Sequence, residues 1–326
     1  MPIDFVSAPV TADVLNWPDL IAAMRDAYAV QHNDRTSFRA VARDGGIWLR
    51  GLVAVPPLGP FMGVKSFGRA SGRKVSYLVS LFCKETGALV ALVDGKHLTS
   101  MRTAAASAVA MDRLLPADPV RVGILGSGQE ARAHARAAAA VRPISEMMIY
   151  SPNSAKRQAL ADDLTEELGV SVAAVNTPEA AVRDRSLVIA AARSWDETPV
   201  LSGHWLAPGA LLVSIGSTIP EQRELDVASV ERSSLIVCDM VDEVLRETGD
   251  FIAASEAGID CEARVASLNQ LVMGQLDDRL RRGGNVMYKS VGAALQDVTA
   301  AALAHRLATE QDKLVRFPVD LEIQDV

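Results

Sequence analysis

The chain has 326 residues, of which 49% are apolar and 22% charged, and its formal net charge at pH 7 is -7. These values are typical of a folded protein with two cores, and the interspersed acidic and basic residues offer no basic surface for nucleic acid or anionic lipid. No apolar run approaches the length of a membrane span, so we expect a cytoplasmic protein with neither kind of partner. Three scattered cysteines without a Cys-x-x-Cys pair predict buried thiols, no metal site and no disulfides.

The first third of the chain predicts a helix followed by a sheet. Apolar residues recur at helical spacing from Pro9 to Ala29. Five short β-type runs then follow, separated by turns rich in glycine and proline, which predicts a mostly antiparallel sheet. These runs are Phe38–Val41, Ile47–Val55, Phe61–Phe67, Val75–Cys83 and Ala88–Val93. A helix is expected from Leu98 to Leu115, because Pro116 stops it.

The run Val120–Arg132 predicts a strand, a tight glycine turn and a helix. Gly126, Gly128 and Ala131 occupy the three small-residue positions of a dinucleotide-binding fingerprint. Gly126 permits the turn, Gly128 lets the backbone approach a pyrophosphate, and the free N–H groups of the helix favour the phosphates. We therefore assign cofactor binding to Gly126, Ser127, Gly128, Gln129 and Glu130.

Strands and helices alternate beyond the fingerprint, which predicts a parallel, doubly wound sheet. A last helix, Gln296–Ala308, follows a glycine-rich stretch and is expected to return to the first domain. The predicted fold class is therefore α/β, with a Rossmann domain joined to an N-terminal α+β domain. The expected boundaries are 1–117 for the N-terminal domain, 118–292 for the Rossmann domain and 293–326 for the returning C-terminal segment.

The end of the second Rossmann strand favours one cofactor over the other. An NAD enzyme usually carries an acidic residue about 20 residues after the glycines, where it binds the ribose hydroxyls. No acidic residue follows Tyr150 here, and the segment instead offers Ser151, Asn153, Lys156 and Arg157. These groups can receive a 2′-phosphate, which favours NADP(H). The alternative is that Lys156 and Arg157 are a solvated pair on a helix, and that NAD(H) binds without the acid.

Five segments spread through most of the chain share a further likeness. They are Gly63–Lys65, Asp94–Ser107, Gly126–Arg132, Gly216–Asp226 and Lys289–Asp297. Together they resemble the ornithine cyclodeaminase and mu-crystallin family, whose members are cyclodeaminases, amino-acid dehydrogenases and imino-acid reductases. The resemblance implies a homodimer joined through the N-terminal sheet domain, and a nicotinamide-binding Rossmann domain placed before a C-terminal helix.

The resemblance implies that Lys65 and Arg102 face the substrate. A planar guanidinium holds a carboxylate with two hydrogen bonds, which makes Arg102 the best candidate for the substrate carboxylate. Lys65 lies in a strand-like run, where a lysine is costly unless it faces a cleft, and it can bind the carboxylate or protonate the reacting nitrogen. A second carboxylate arginine is either Arg39 or Arg50, and we choose Arg39 because its spacing matches the family.

The resemblance also implies a site for the nicotinamide at Gly216, Ser217 and Lys289. Cyclodeaminases of the family carry an aspartate at the position of Thr218. A hydroxyl positions substrate but is not a base near neutral pH, so Thr218 favours simple hydride transfer over cyclodeamination. Asp297 is expected to tie the last helix to the cleft.

These residues predict an NAD(P)H-dependent oxidoreductase that reduces a small 2-imino acid to the 2-amino acid, or catalyses the reverse dehydrogenation. Small 2-imino, 2-oxo and 2-amino acids are the expected substrates. One alternative is a cyclodeaminase that releases ammonia from ornithine or lysine. A second is a non-catalytic nicotinamide-binding protein of the crystallin type, against which the intact Lys65 and Arg102 count.

Overall fold

A computed structural model describes residues 2–32, 36–70, 75–192, 198–318 and 321 of the chain. The chain forms two compact units, the first comprising Met1–Ala106 with Ala293–Val326 and the second Ser107–Gly292. The division falls inside one unbroken helix, Gly95–Leu114, whereas the boundary expected after residue 117 lies beyond that helix. Among the described helices, none combines the length and the apolar character that a bilayer crossing requires.

Fifteen strands and twelve α-helices are formed in the described part of the chain, together with a short 3-10 helix at Gly203–Trp205. The strands are β1 (Ile3–Val6), β2 (Ser37–Asp44), β3 (Ile47–Ala54), β4 (Phe61–Arg69), β5 (Val75–Cys83), β6 (Leu89–Asp94), β7 (Val120–Leu125), β8 (Ile144–Tyr150), β9 (Ser171–Ala174), β10 (Leu187–Ala190), β11 (Leu211–Ser214), β12 (Ser233–Cys238), β13 (Val265–Ser267), β14 (Asn285–Lys289) and β15 (Val315–Phe317). The helices are α1 (Ala8–Val14), α2 (Trp17–Tyr28), α3 (Gly95–Leu114), α4 (Gln129–Val141), α5 (Ser154–Leu168), α6 (Pro178–Val182), α7 (Val227–Glu231), α8 (Val241–Glu247), α9 (Gly249–Glu256), α10 (Leu268–Val272), α11 (Asp277–Leu280) and α12 (Ala294–Glu310).

The first unit is built on a seven-stranded sheet with the order β15-β1-β6-β5-β4-β3-β2. The predicted antiparallel sheet is confirmed for β2 to β6, which pair with their neighbours in chain order. The sequence did not predict β1 and β15, because each is too short to show a pattern and is held by a partner distant in the chain. The single helix expected from Pro9 to Ala29 is two helices, since Asn16 caps α2 by accepting from the N–H of Asp19.

Strand register decides which side chains share a face of this sheet. Lys65 pairs with Leu52, and Phe67 pairs with Arg50 on the same neighbouring strand. On the next strand, Arg39 pairs with Leu52. Because side chains alternate along a strand and paired residues lie on the same side, Lys65, Arg39 and Arg50 all project from one face.

Helix α12 covers the face that carries Lys65. A Cβ added at Gly63, two residues from Lys65, would lie 3.1 Å from Cγ2 of Val298 on that helix. The opposite face is apolar and open in the single chain, where Phe38, Leu49 and Val53 are 63%, 59% and 45% exposed. The two faces of one sheet therefore differ sharply in chemistry.

The second unit is an eight-stranded sheet with the order β13-β12-β14-β11-β10-β7-β8-β9, and every pair in it is parallel. The chain order reverses between β7 and β10, which is the position where doubly wound sheets bind ligands beyond the carboxyl ends of the strands. The predicted Rossmann domain is confirmed. Its core joins strand residues such as Leu212, Ile236 and Met287 to Phe251 of α9.

One central strand of this sheet was not expected from the sequence. β14 lies between β11 and β12, although it directly follows Gly283 and Gly284 and ends at Lys289. Glycine weakens a strand and lysine is rarely buried, so a stretch that follows two glycines and ends in a lysine does not show the pattern of a central strand. The lysine is tolerated because it meets a buried carboxylate, which the local sequence does not reveal.

Candidate active site

The first unit holds a buried cluster of one carboxylate and two cations. Oδ1 of Asp297 accepts from Nζ of Lys65 at 3.0 Å and from Nε of Arg102 at 2.8 Å. Arg102 Nη1 also donates to Oε1 of Gln296 at 2.6 Å, and Gln296 Nε2 donates to the hydroxyl of Tyr28 at 2.9 Å. Lys65, Arg102, Gln296 and Asp297 are all buried. The three charged side chains together carry one net positive charge, which suits an anionic ligand.

The start of α3 sets the position of Arg102. Oδ1 of Asp94 accepts from the N–H of Lys96 at 2.9 Å and so satisfies a donor of the first turn. Gly95 leaves room for close packing, because a Cβ there would lie 2.6 Å from Cβ of Tyr77. Arg102 follows about two turns later along the same helix. The motif Asp94–Ser107 therefore places the guanidinium of Arg102 beside Asp297.

Aromatic rings pack against the other side of the Lys65 ammonium. Nζ of Lys65 lies 4.9 Å from the ring centre of Tyr77 and 5.3 Å from that of Phe67, within the range of cation–π attraction. The lysine is thus bounded by a carboxylate and two ring faces. In Asp297, by contrast, Oδ2 is buried and receives no hydrogen bond from the residues that the structure describes.

Both arginines proposed for the second carboxylate contact lie on the face of Lys65. Arg39 shares a cross-strand row with Lys65, with Leu52 between them. Arg50 is on the neighbouring strand, and its guanidinium lies 4.8 Å from the ring centre of Trp48. The sheet therefore brings both Arg39 and Arg50 to the helix-covered face.

In the second unit the fingerprint turn leaves an open anion-binding position. Gly126 has φ of 126°, a conformation that side chains disfavour, and a Cβ there would lie 2.6 Å from the carbonyl oxygen of Ala191. Gly128 caps α4 without a side-chain hydrogen bond, and a Cβ at Gly128 would meet no heavy atom within 4 Å. Gln129 and Glu130 form the first turn of α4. The first-turn N–H groups of a helix have no partner within the helix itself, and such a helix start fits the pyrophosphate of a dinucleotide.

The segment after β8 contains no acidic side chain between residues 151 and 157. Ser151 is buried and donates its hydroxyl to Oγ of Ser127 at 2.8 Å. Asn153 caps α5 by accepting from the N–H of Lys156 at 2.9 Å. Arg157 donates to the carbonyl of Ser151 at 2.8 Å, so its guanidinium holds this turn in shape. Lys156 and Asn153 remain exposed at the start of α5.

Glu224 holds the predicted nicotinamide loop in place through hydrogen bonds. Its carboxylate accepts from the N–H groups of Ala192 and Gly216, both at 2.9 Å, and from the hydroxyl of Ser214 at 2.8 Å. Gly216 has no space for a side chain, since a Cβ would collide with the carbonyl of Ala192 and with Glu224. Burial raises the pKa of Glu224 from 4.5 to about 7, although the positive charge of Lys289 lowers it.

The side chains of the same loop differ in exposure. Ser217 is buried and donates its hydroxyl to the carbonyl of Gln222 at 2.6 Å, so it shapes the loop. Thr218 is half-buried and follows directly. Because β11 is parallel to β7 and β8, this loop leaves the same edge of the sheet as the fingerprint turn.

The structure places Lys289 inside the unit and not on the cofactor-facing surface that the sequence predicts. Its ammonium donates to Oγ of Ser214 at 2.8 Å and to Oδ2 of Asp250 at 3.1 Å, and the residue is fully buried. Oδ1 of Asp250 in turn accepts from the N–H groups of Glu224 and Leu225. Lys289 therefore supports the loop structurally, because its charge is paired with that of Asp250 inside the protein.

Sequence reasoning missed three supporting residues. Asp250 and Glu224 were given no role, although a lysine in the middle of a buried strand signals a hidden acidic partner. Asp239 was also missed; it follows β12 and accepts from the hydroxyl of Ser290 at 2.7 Å and from the N–H of Gly292 at 2.8 Å. Within the ranges that the structure describes, no three His, Cys, Asp or Glu residues form a group that could hold a metal ion.

Comparison with known proteins gives consistent matches. A sequence model of the ornithine cyclodeaminase/mu-crystallin family matches residues 63–312. The chain is 33% identical over 242 residues to a Rhizobium meliloti protein provisionally named a dehydrogenase, covering 74% of this chain and 72% of that protein. It is 28% identical over 261 residues to a Bacillus cereus Delta(1)-pyrroline-2-carboxylate reductase, covering 80% of this chain and 77% of the reductase. The Thermococcus litoralis Delta(1)-pyrroline-2-carboxylate reductase, solved in complex with NADH and L-proline, superposes with a TM-score of 0.89 at 26% identity, covering 97% of this chain and 100% of the other.

Proposed function

Because this chain belongs to the ornithine cyclodeaminase/mu-crystallin family, we propose that it reduces small 2-imino acids to 2-amino acids with a nicotinamide cofactor, and catalyses the reverse dehydrogenation. The observation that carries the proposal is the buried pair of cations, Lys65 and Arg102, on the single carboxylate of Asp297. A buried cluster with one net positive charge is suited to the carboxylate of an imino acid.

Each residue of the cluster has a distinct task in this reaction. Arg102 and Lys65 attract and orient the substrate carboxylate, with Arg39 adding positive charge on the same face of the sheet. When bound, the reduced nicotinamide supplies a hydride to the imine carbon. The nitrogen gains a proton at the same time, and the Lys65 ammonium is the group that donates it. Fixed geometry and exclusion of water from a buried cluster supply much of the rate.

For the cofactor, we propose a preference for NADP(H) over NAD(H). The support is the lack of an acidic residue after β8, together with exposed Asn153 and Lys156 at the start of α5, where a 2′-phosphate meets helix N–H groups and a positive charge. Gly126, Ser127, Gly128, Gln129 and Glu130 would hold the pyrophosphate.

Thr218 distinguishes this proposal from cyclodeamination. A threonine hydroxyl does not accept a proton near neutral pH, so position 218 does not supply the base that ammonia elimination needs. The buried Glu224 does not replace it, because its oxygens already accept hydrogen bonds from Ala192, Ser214 and Gly216.

The experiment is a spectrophotometric assay of NADPH and NADH with pyrroline-2-carboxylate, and with 2-oxo acids mixed with ammonia or methylamine. We expect imine-dependent oxidation, faster with NADPH. Ammonia release from ornithine or lysine without net cofactor oxidation would instead identify a cyclodeaminase. Tight cofactor binding with no turnover of any imine or diamino acid would identify a binding protein.

We also propose that two copies associate through the open apolar face of the sheet in the first unit. Phe38, Leu49 and Val53 project from this face, and exposed apolar patches of this kind mark protein interfaces. Val53→Asp places a charge in the patch and is expected to convert dimers to monomers in sedimentation velocity. Val41→Asp, an exposed valine on the other face, is the matched control. A wild-type monomer at micromolar concentration would refute the proposal.

A further inference from the structure

The buried cluster contains an acceptor that the protein does not satisfy. Both cations of the cluster bind Oδ1 of Asp297, whereas Oδ2 is buried and accepts no hydrogen bond from the described residues. A buried carboxylate oxygen without a donor is unfavourable, and native proteins almost always supply one. The missing donor is therefore to be sought in a ligand or in ordered water.

The proposed substrate offers that donor at the right place. In an amino acid, the carboxylate and the nitrogen are attached to the same carbon, so a site that binds both must present cations and an acceptor close together. Arg102 and Lys65 supply the cations, and Asp297 supplies the acceptor in direct contact with both of them. An ammonium or iminium N–H bonded to a carboxylate is a strong, charge-assisted hydrogen bond.

We infer that Asp297 is a substrate-binding residue, whose Oδ2 accepts the N–H of the substrate nitrogen while its Oδ1 holds the two cations that bind the substrate carboxylate. The inference rests on the proposed function and deepens it. It makes the site selective for 2-amino and 2-imino acids over carboxylates of the same shape that lack the nitrogen. After Lys65 has protonated the imine nitrogen, the new N–H donates a hydrogen bond to Oδ2 of Asp297.

Matched ligands test this selectivity. We would measure binding of L-proline against cyclopentanecarboxylate, and of L-alanine against propionate, by calorimetry in the presence of NADP⁺. One hydrogen bond to a charged group predicts that wild-type protein binds the amino acid about 10- to 100-fold more tightly in each pair. A wild-type ratio near one would overturn the inference.

The key variant is Asp297→Asn. The amide oxygen still accepts from Lys65 and Arg102, but the amide N–H₂ replaces the second acceptor with a donor. The ratio between the paired ligands should fall to near one, mainly through weaker binding of the amino acid. Gln296→Leu is the matched control, because it removes another partner of Arg102 on the same helix. It should weaken both ligands together and keep the ratio.

A second variant covers the case in which Asp297→Asn does not fold. Lys65→Met/Asp297→Asn removes one charge of each sign, so the net charge of the cluster is unchanged, and it is compared with Lys65→Met alone. The single variant should keep the ratio and the double variant should lose it. Equal ratios in these two proteins would overturn the role of Asp297 and leave the proposed function standing. Failure of both amino acids to bind to wild-type protein would overturn the proposed function as well.

Discussion

The two units each bury a cluster of three ionisable side chains, and the clusters have opposite charge balance. In the first unit, Lys65 and Arg102 share the carboxylate of Asp297. In the second, Lys289 binds Asp250 beside the carboxylate of Glu224. One cluster therefore has an excess of cations and the other an excess of carboxylates.

The two clusters differ in whether the protein satisfies their buried carboxylate oxygens. The carboxylates of the second cluster are satisfied internally, by backbone N–H groups, by Ser214 and by Lys289, and burial raises the pKa of Glu224 to about 7. The first cluster leaves Oδ2 of Asp297 without a donor from the described chain. The difference teaches that a satisfied buried cluster supports structure, whereas an unsatisfied one indicates a ligand.

The largest effect is expected from Lys65→Met. Loss of the ammonium should lower kcat by about 10²- to 10⁴-fold, because it removes the proton donor and half of the positive charge. Folding should change little, since Asp297 keeps Arg102 as a partner. Imine reduction and the thermal unfolding midpoint are measured together, with the exposed Lys96→Met as control. A variant that keeps its activity would exclude Lys65 from the chemistry.

A lysine-to-methionine substitution in the second cluster should lower the stability of the protein. Lys289→Met leaves Asp250 and Glu224 buried without a cation, which should lower the free energy of unfolding by about 3–5 kcal/mol. Urea unfolding followed by circular dichroism gives the value. If instead the variant were as stable as wild type but bound NADPH poorly, Lys289 would be the direct cofactor contact that the sequence predicts.

Glu224→Gln tests how the ionisation of this buried carboxyl changes the stability of the protein with pH. The folded pKa of about 7 lies above the ordinary 4.5, so the folded state holds the proton more tightly than the unfolded chain. This stabilisation is complete below pH 4.5 and is lost as the pH rises through 7. The glutamine cannot ionise, so the stability of the variant relative to wild type should rise by about 3 kcal/mol from acidic to alkaline pH.

Urea unfolding at a series of pH values measures this difference between Glu224→Gln and wild type. Glu231→Gln, an exposed glutamate in the same unit, is the control and should show no such rise. A difference that stays constant with pH would mean that folding does not raise the pKa of Glu224.

The smallest effect is expected for the cofactor preference that we propose for the second unit. Asn153→Asp restores the acidic residue after β8 and keeps the cap of α5, because aspartate caps as well as asparagine. Repulsion of a 2′-phosphate should lower the NADPH to NADH ratio of kcat/KM about fivefold. Asn16→Asp, the same change at the cap of α2, should leave the ratio unchanged. An unchanged ratio in Asn153→Asp would place the 2′-phosphate elsewhere.

Much of the fold follows from local patterns. The glycine turn at Gly126 depends on backbone conformation within a few residues, and the alternation of strands and helices after it defines the parallel sheet. Elements held by distant partners were missed, because their stability lies outside their own sequence. The strand β1 pairs with β15 across almost the whole chain, and the buried Lys289 at the end of β14 contacts Asp250, which lies 39 residues earlier.

By itself, the sequence determined the Rossmann unit, the family and the positions of Lys65 and Arg102 as candidates, because motifs and periodicity are properties of short segments. Tertiary structure alone decided the partners of these residues. Asp297 lies 232 residues from Lys65, and only the return of α12 to the sheet brings them within 3.0 Å. Register alone put Arg39 and Arg50 on the face of Lys65, since a shift of one residue would turn them away. Burial alone made Lys289 a structural residue, because a charge enclosed with its counter-ion is no longer available to a ligand.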